Sequence, residues 1–194
     1  MVQPVLEEAS NPASDGLEKH HQHHSRDKGE EIPERLELTG IVDQEVVGHR
    51  KGEATDDQEW EFEQIHELNY QTFVDEIPQH QGNGQGRLVD KFHHENTYVI
   101  CLCGERVLGM IALRDKRPLS LDAKLDDLDS YLPPFRTILE YRLLAIRKEY
   151  RNSAIFAGIM KQAFYMALQG GYDIAVISGI TRQERLSRNL GFRP

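Results

Sequence analysis

The sequence predicts a mixed α/β (α+β) fold: a mostly antiparallel sheet with one parallel crossover and helices on both faces. Three observations carry this. TYVICLC (97–103) and VLGMIALR (107–114) are apolar runs on either side of Gly104-Glu105-Arg106, the pattern of an antiparallel hairpin. ILEYRLLAI (138–146) and DIAVIS (173–178) read as buried strands. Between these two strands, Phe156, Ile159, Met160, Ala163, Phe164 and Ala167 recur at the spacing of one helical face, predicting a helix from about Ser153 to Gln169. A strand–helix–strand unit pairs its two strands in parallel.

The other elements follow along the chain. Residues 1–59 read as a largely disordered polar tail, interrupted by a weak strand over roughly Leu36–Val47. The stretch 7–34 has no aromatic residue and little apolar area to offset chain entropy. Its histidines, His20, His21, His23 and His24, could bind a metal, but a mobile tract does not preorganise ligands, so no metal site is assigned. Order is expected to begin near Trp60, giving one domain over 60–194. Phe62, Ile65, Leu68, Thr72 and Phe73 approximate helical spacing, so a helix is read from about Glu61 to Asp75, stopped by Pro78. QHQGNGQGR (79–87) is a glycine-rich loop without the GxxxxGK[ST] pattern of a phosphate loop. In the insertion 115–137, Leu121, Leu125, Leu128 and Leu132 suggest a short amphipathic helix that Pro133-Pro134 stops. Gly170-Gly171 caps the long helix. Thr181 can cap a final helix over roughly Arg182–Asn189.

Composition narrows the function classes. Of 194 residues, 39% are apolar and 28% charged, which supports one packed core. No apolar run is long enough to span a membrane. The start lacks the basic and apolar regions of a secretory signal. The two cysteines, Cys101 and Cys103, are too close along one strand to bridge, so a reducing, cytoplasmic setting fits. The net charge of −9 divides unevenly: residues 136–194 carry +6 and residues 1–135 carry −15. A basic section on an acidic chain suits one anion-binding face, and no reader motif points to nucleic acid.

The crossover is where chemistry is expected. Strand 138–146 runs through RKEYRNSAI into the long helix, whose first N–H groups and positive dipole end suit a phosphate. Arg147, Lys148 and Arg151 surround that bend, and Asn152, Ser153 and Ala154 are small enough to let an anion approach the backbone. From charge alone, a phosphate site and a solvated basic cap are equally good readings.

LLAIRKEYRNSAIFAGIMKQAFYMA, then YDIAVIS, then LSRNLGF resemble the GCN5-related N-acyltransferase (GNAT) superfamily. The matching hexad is Arg151-Asn152-Ser153-Ala154-Ile155-Phe156, and the closing pair is Gly191-Phe192. Ala154 and Phe156 stand where the family has small residues, and Ser187 stands where many members carry a tyrosine general acid. A narrower resemblance, to autoinducer synthases and long-chain N-acyl amino acid synthases, rests on LNYQTFVDEI (68–77), DKFHHENTYVIC (90–101), VLGMIALRDKRPLSL (107–121) and ILEYRLLAI. Phe73-Val74-Asp75-Glu76, Asp90-Lys91-Phe92 and Glu140 match that branch. Its partner arginine would stand at 143, which is Leu143, while Arg142 is one position off and is expected on the opposite side of the strand.

The resemblance implies transfer of an acyl group, in this branch a long chain, from acyl-CoA or the acyl-phosphopantetheine of an acyl carrier protein to the amine of a small molecule such as an amino acid. It implies no permanently bound cofactor. Glu140 becomes the candidate base, with an oxyanion donor from Leu144, Ala145 or Ile146, and a cradle for the donor from Arg147, Arg151, Asn152, Ser153, Ala154 and Ile155. His66, His80, His93 and His94 are alternative bases and read better as surface residues. Cys101 and Cys103 read as packing. The insertion leucines and Phe135 either wall an acyl pocket or cover the sheet. The family fold has two further strands after Gly191-Phe192; a further domain or an oligomer would complete the sheet. The rival readings are a short-chain CoA-dependent acetyltransferase and a non-catalytic module that binds an acyl carrier or another partner.

Overall fold

The computed structural model describes residues 47–52, 58–151, 153–178 and 184–193. Five strands lie side by side in chain order: β1 (Val47–Lys51), β2 (Thr97–Cys103), β3 (Arg106–Arg114), β4 (Ile138–Ile146) and β5 (Ile174–Ile177). The first four pair antiparallel and β5 pairs parallel to β4. The hairpin, the central strand and the crossover thus stand where the apolar runs put them. Gly104 takes φ +56 at the hairpin turn, a conformation a side chain would strain.

Helix α1 (Glu59–Tyr70) covers one face and α2 (Ser153–Gln169) the other. Phe62, Ile65 and Leu68 of α1 pack on Tyr98, Ile100 and Met110. Ile155, Ile159 and Ala163 of α2 pack on Val99, Leu108 and Tyr141. Alternate residues of β2 and β3 therefore serve opposite helices, as a two-fold side-chain period requires. Phe156 packs, half-buried, against the α2 cluster, as its stripe predicts. Gly171 ends α2 with φ +65, and Tyr172 N donates back to Ala167 O. A last short helix, α3, spans Glu184–Asn189; Thr181 lies outside the described residues.

Three expectations are corrected. The sheet reaches back beyond Trp60, because β1 lies inside the stretch assigned to the tail. It pairs with β2, and Arg50 holds Glu61 of α1 through two hydrogen bonds of 2.6 and 2.9 Å. The predicted strand over Leu36–Val47 shares only Val47 with β1; its other residues lie outside the described ones, as do the tail histidines. The helix from Glu61 continues past Tyr70 as wider π-type turns over Gln71–Glu76. The insertion is not a helix but two 3-10 turns, Leu121–Ala123 and Leu128–Tyr131. Three successive backbone N–H groups where a helix would start are taken by carboxylates: Leu119 N donates to Asp122, and Ser120 N and Leu121 N donate to Glu140. Such bonds compete with helical pairing. Leu119 and Leu128 pack on Ile138 and Val176, joined by Leu121, Leu125, Leu132 and Phe135, so these side chains cover the sheet.

Candidate functional site

β4 and β5 pair only through Ile138–Tyr141 and Ile174–Ile177; β5 then stops, while β4 runs on to Ile146. At the parting, β4 holds one extra residue. Met110 pairs with Ala145 and Ala112 with Arg142, so Ile111 alone faces both Leu143 and Leu144. This bulge puts Leu143 at φ +54, a left-handed conformation that costs a branched residue roughly 1–2 kcal/mol. It also resets which face each side chain meets. Glu140 and Arg142 look to the α1 side, and so do Leu143 and Ala145 beyond the bulge, while Leu144 and Ile146 join the α2 cluster. Arg142 therefore shares a side with Leu143, against the expectation from a regular strand.

A cavity of about 710 Å³ opens at this parting. Phe73, Ile77, Leu88, Leu143, Leu144 and Leu190 give it an apolar wall, and Ser178 and Ser187 lie along the β5–α3 side. Asn69, Asp90 and Arg142 make a polar patch, while Ser120 and Lys124 come from the insertion. Lys124 Nζ donates to Ser178 Oγ at 3.0 Å, joining the insertion to the end of β5.

The polar patch is built on charge. Arg142 grips both oxygens of Asp90, at 2.6 and 3.0 Å. Asp90 also accepts from Asn96 Nδ2 and Phe92 N. The guanidinium groups of Arg142 and Arg114 both stack over the Phe92 ring, at 4.9 and 3.8 Å from its centroid. Arg114, 1% exposed, donates to Pro118 O and pairs with Glu95.

Glu140 is at the bottom of this network, 0% exposed. Its carboxylate accepts from Ser120 N at 2.9 Å, Leu121 N at 3.2 Å and Ser120 Oγ, and lies 3.6 Å from Arg142 Nε. It does not itself line the cavity; Ser120 stands between. As a base in direct contact with an amine, Glu140 is thus misplaced. Its immediate work is to fasten the insertion to β4.

The predicted cradle is partly spent on structure. Of Leu144, Ala145 and Ile146, only Leu144 lines the cavity; Ala145 and Ile146 are buried in the two cores. Arg147 Nε donates to Val107 O at 2.7 Å. Arg151 donates to Ile146 O at 3.0 Å and to Glu76 at 2.6 Å, next to the cavity residue Ile77. Ile155 is a core residue at 2% exposure, Ala154 is half-buried, and Asn152 and the Ser153 side chain lie outside what is described. Lys148 remains in a 3-10 turn between β4 and α2.

The histidine expectation is corrected for two residues. His66 and His93 are buried, with ring centroids 4.7 Å apart, and His93 Nδ1 meets the Tyr98 hydroxyl at 3.0 Å. Burial, helped by neighbouring His93, lowers the His66 pKa to about 4, and burial lowers that of His93. His80 and His94 are exposed, and His80 lines the cavity. Cys101 is buried, its thiol pushed up to about 11, while Cys103 is exposed. Among the described residues, no group of three metal-ligating side chains forms, and no helix is long and apolar enough to cross a membrane.

Asn69 and Ser120 were not singled out in the sequence. Asn69 carried a signal: it stands on the apolar stripe Phe62, Ile65, Phe73, where a buried polar side chain needs a reason. Ser120 carried none, since only the fold brings it to Glu140.

Residues 68–161 match the family model described as the acetyltransferase (GNAT) domain. The chain has the GNAT fold. Among solved structures it is similar to the CoA-dependent acyl-homoserine lactone synthase BjaI, described with SAM and isopentyl-CoA, at 19% identity and TM-score 0.64, covering 76% of this chain and 72% of that one. It is similar to a second CoA-dependent acyl-homoserine lactone synthase, MesI, at 17% identity and TM-score 0.58, covering 75% and 76%. A GCN5-related N-acetyltransferase from Ralstonia eutropha JMP134 aligns at 13% identity and TM-score 0.52, covering 76% and 92%. No curated protein matches the chain. The GNAT fold with autoinducer-synthase neighbours is the one that 68–77, 90–101, 107–121 and 138–146 pointed to.

Proposed function

We propose that this GNAT domain is an N-acyltransferase that moves an acyl group, a long one, from a thioester to the amine of a small molecule such as an amino acid. The donor is acyl-CoA or the acyl-phosphopantetheine of a carrier protein. The observation that carries this reading is the cavity at the β4–β5 parting. Its volume of about 710 Å³ is on the scale that encloses a whole organic ligand, and an acetyl group would leave most of the apolar wall bare. Acyl-CoA donors are named for the solved structures of similar fold, which supports a CoA thioester here.

The chemistry follows from what lines the cavity. The amine nitrogen adds to the thioester carbonyl carbon. A backbone N–H of the bulged segment, Leu143–Ala145, meets the oxyanion, a contribution of about 3 kcal/mol in acyl transfer generally. The C–N bond stays, the C–S bond breaks, and sulfur leaves as a thiolate that takes a proton from water. With a thiol pKa of ~8.5, that departure needs no general acid, so Ser187 in the tyrosine position is no obstacle. The proton of the amine passes to Ser120 Oγ, whose own proton goes to Glu140. The donor's arm runs past Leu144, and its phosphates meet the 147–155 bend, with Lys148 as a donor and the positive dipole end of α2 beside them.

The test is product identity. The chain is incubated with acetyl, octanoyl and palmitoyl thioesters of CoA and of a carrier protein, together with the common amino acids, and amides are weighed by mass spectrometry. Long-chain N-acyl amino acids, lost in Glu140→Gln, support the reading. Acetyl amides alone select a short-chain enzyme. Thioester binding without turnover, unchanged by Glu140→Gln, selects a binding module.

A further inference from the structure

We propose that the α1 end of the cavity is the acceptor subsite, and that Asn69 Oδ1 receives a hydrogen bond from the amine before it attacks. The proposal rests on the N-acyltransfer reading above and deepens it. Asn69 is 0% exposed in the last turn of α1, between Ile65 and Phe73 on the face that packs against the sheet. Its Nδ2 donates to Leu88 O at 3.5 Å, which orients the carboxamide: nitrogen toward the loop carbonyl, oxygen away from it. That oxygen is buried and has no hydrogen-bond partner among the described residues. A leucine would complete the apolar stripe, so folding alone gives no reason for an amide whose oxygen stays unpaired.

The cavity supplies a reason. Asn69 lines it beside Asp90 and Arg142. Asp90 is already engaged by Arg142, Asn96 and Phe92 N. The Asn69 oxygen is the neutral acceptor at that end, and what it lacks among the described residues is a donor. A primary amine brings one and keeps its lone pair for the thioester carbon. A neutral acceptor suits this task better than a carboxylate would. A carboxylate at 69 would favour the ammonium form, which has no lone pair with which to attack. The ligand class that fits is therefore a small primary amine, captured as the free base.

Two variants test this: Asn69→Leu and Asn69→Asp. Acylation is followed under varied amine and varied acyl-CoA, and each amine (the common amino acids and n-butylamine) is also scored by thermal shift in the presence of an unreactive S-alkyl-CoA. Asn69→Leu is expected to raise KM for the amine tenfold or more, leave KM for acyl-CoA unchanged, and lose the amine-dependent thermal shift. Asn69→Asp is expected to keep that thermal shift and move the rising limb of the pH–kcat profile upward. An Asn69→Leu protein with an amine KM within twofold of wild type overturns the proposal. So does an unshifted Asn69→Asp profile, which decides the matter if the leucine variant does not fold. If wild type makes no amide at all, the N-acyltransfer reading fails. The thermal shifts of wild type and Asn69→Leu then judge the subsite alone: a shift in wild type that the variant loses supports it, and any other pattern overturns it.

Discussion

Replacing Glu140 with glutamine changes one oxygen to NH₂ and removes one charge. In the native protein that carboxylate takes three hydrogen bonds from Ser120 and Leu121 and sits 3.6 Å from the Arg142 guanidinium, at 0% exposure. The glutamine NH₂ must face a donor whichever way it turns: the Ser120 hydroxyl with the Leu121 amide, or the Ser120 amide with Arg142. At least one buried N–H is left unpaired, at about 1–3 kcal/mol, and the remaining bonds lose their ionic character. Breaking a buried charged pair from one side costs about 3–5 kcal/mol, so the whole change is expected near 3–4 kcal/mol. For a domain of this size that lowers Tm by roughly 6–16 °C. Thermal and urea unfolding at pH 7.5 measure it, with Ser120→Ala as the partial version that removes only the hydroxyl donor. An E140Q melting point within 2 °C of wild type would refute the reasoning, because the insertion would then not depend on that carboxylate.

Other parts of the fold yield further expected outcomes. A Cβ on Gly52 would lie 1.6 Å from the His93 carbonyl oxygen, so Gly52→Ala is expected to cost ~3 kcal/mol or more in urea unfolding; no loss would mean β1 is not part of the folded unit. His66 titrates near 4 when folded and near its ordinary value of ~6.5 when unfolded, so between those values the unfolded chain binds the extra proton. Its share of stability, up to about 3 kcal/mol, is present above pH 6.5 and lost as pH falls toward 4; His66→Phe should flatten that slope. A thiol reagent at pH 7.5 should titrate Cys103 quickly and Cys101 only after denaturation, since Cys101 is 1% exposed with its thiol pushed up to about 11.

The strand 138–146 and the helix 153–169 were legible because each buries a continuous or strictly periodic apolar set, and burial alone decides them. β1 was not legible. VGHRK has no alternation; what holds it is its pairing with β2, the Arg50–Glu61 pair and the fit of Gly52 against His93, all of them tertiary. The insertion misled for a related reason. Its leucines keep helical spacing, but the backbone donors of Leu119, Ser120 and Leu121 find carboxylates of Asp122 and of a strand residue about twenty positions away. The candidate site was legible as a region and not as a geometry. Glu140 stood out as a charge inside an apolar strand, yet Ser120 comes between it and the cavity. Arg147 and Arg151 stood out as cations, yet their donors serve Val107, Ile146 and Glu76. A bulge depends on what the neighbouring strand offers, so no property of ILEYRLLAI by itself places one at Leu143 and Leu144.

Strand β4 is one residue longer than its neighbour's register needs, and the surplus falls beside the cavity. Take Leu143 away, and Leu144 alone would sit across from Ile111, with every later side chain still aimed at its present face. The repaired sheet would be smoother and free of its one left-handed leucine, and it would have lost a wall residue and the backbone groups that the irregularity turns aside. A three-nucleotide deletion would thus take a wall residue from the cavity and leave the hydrophobic core scarcely changed.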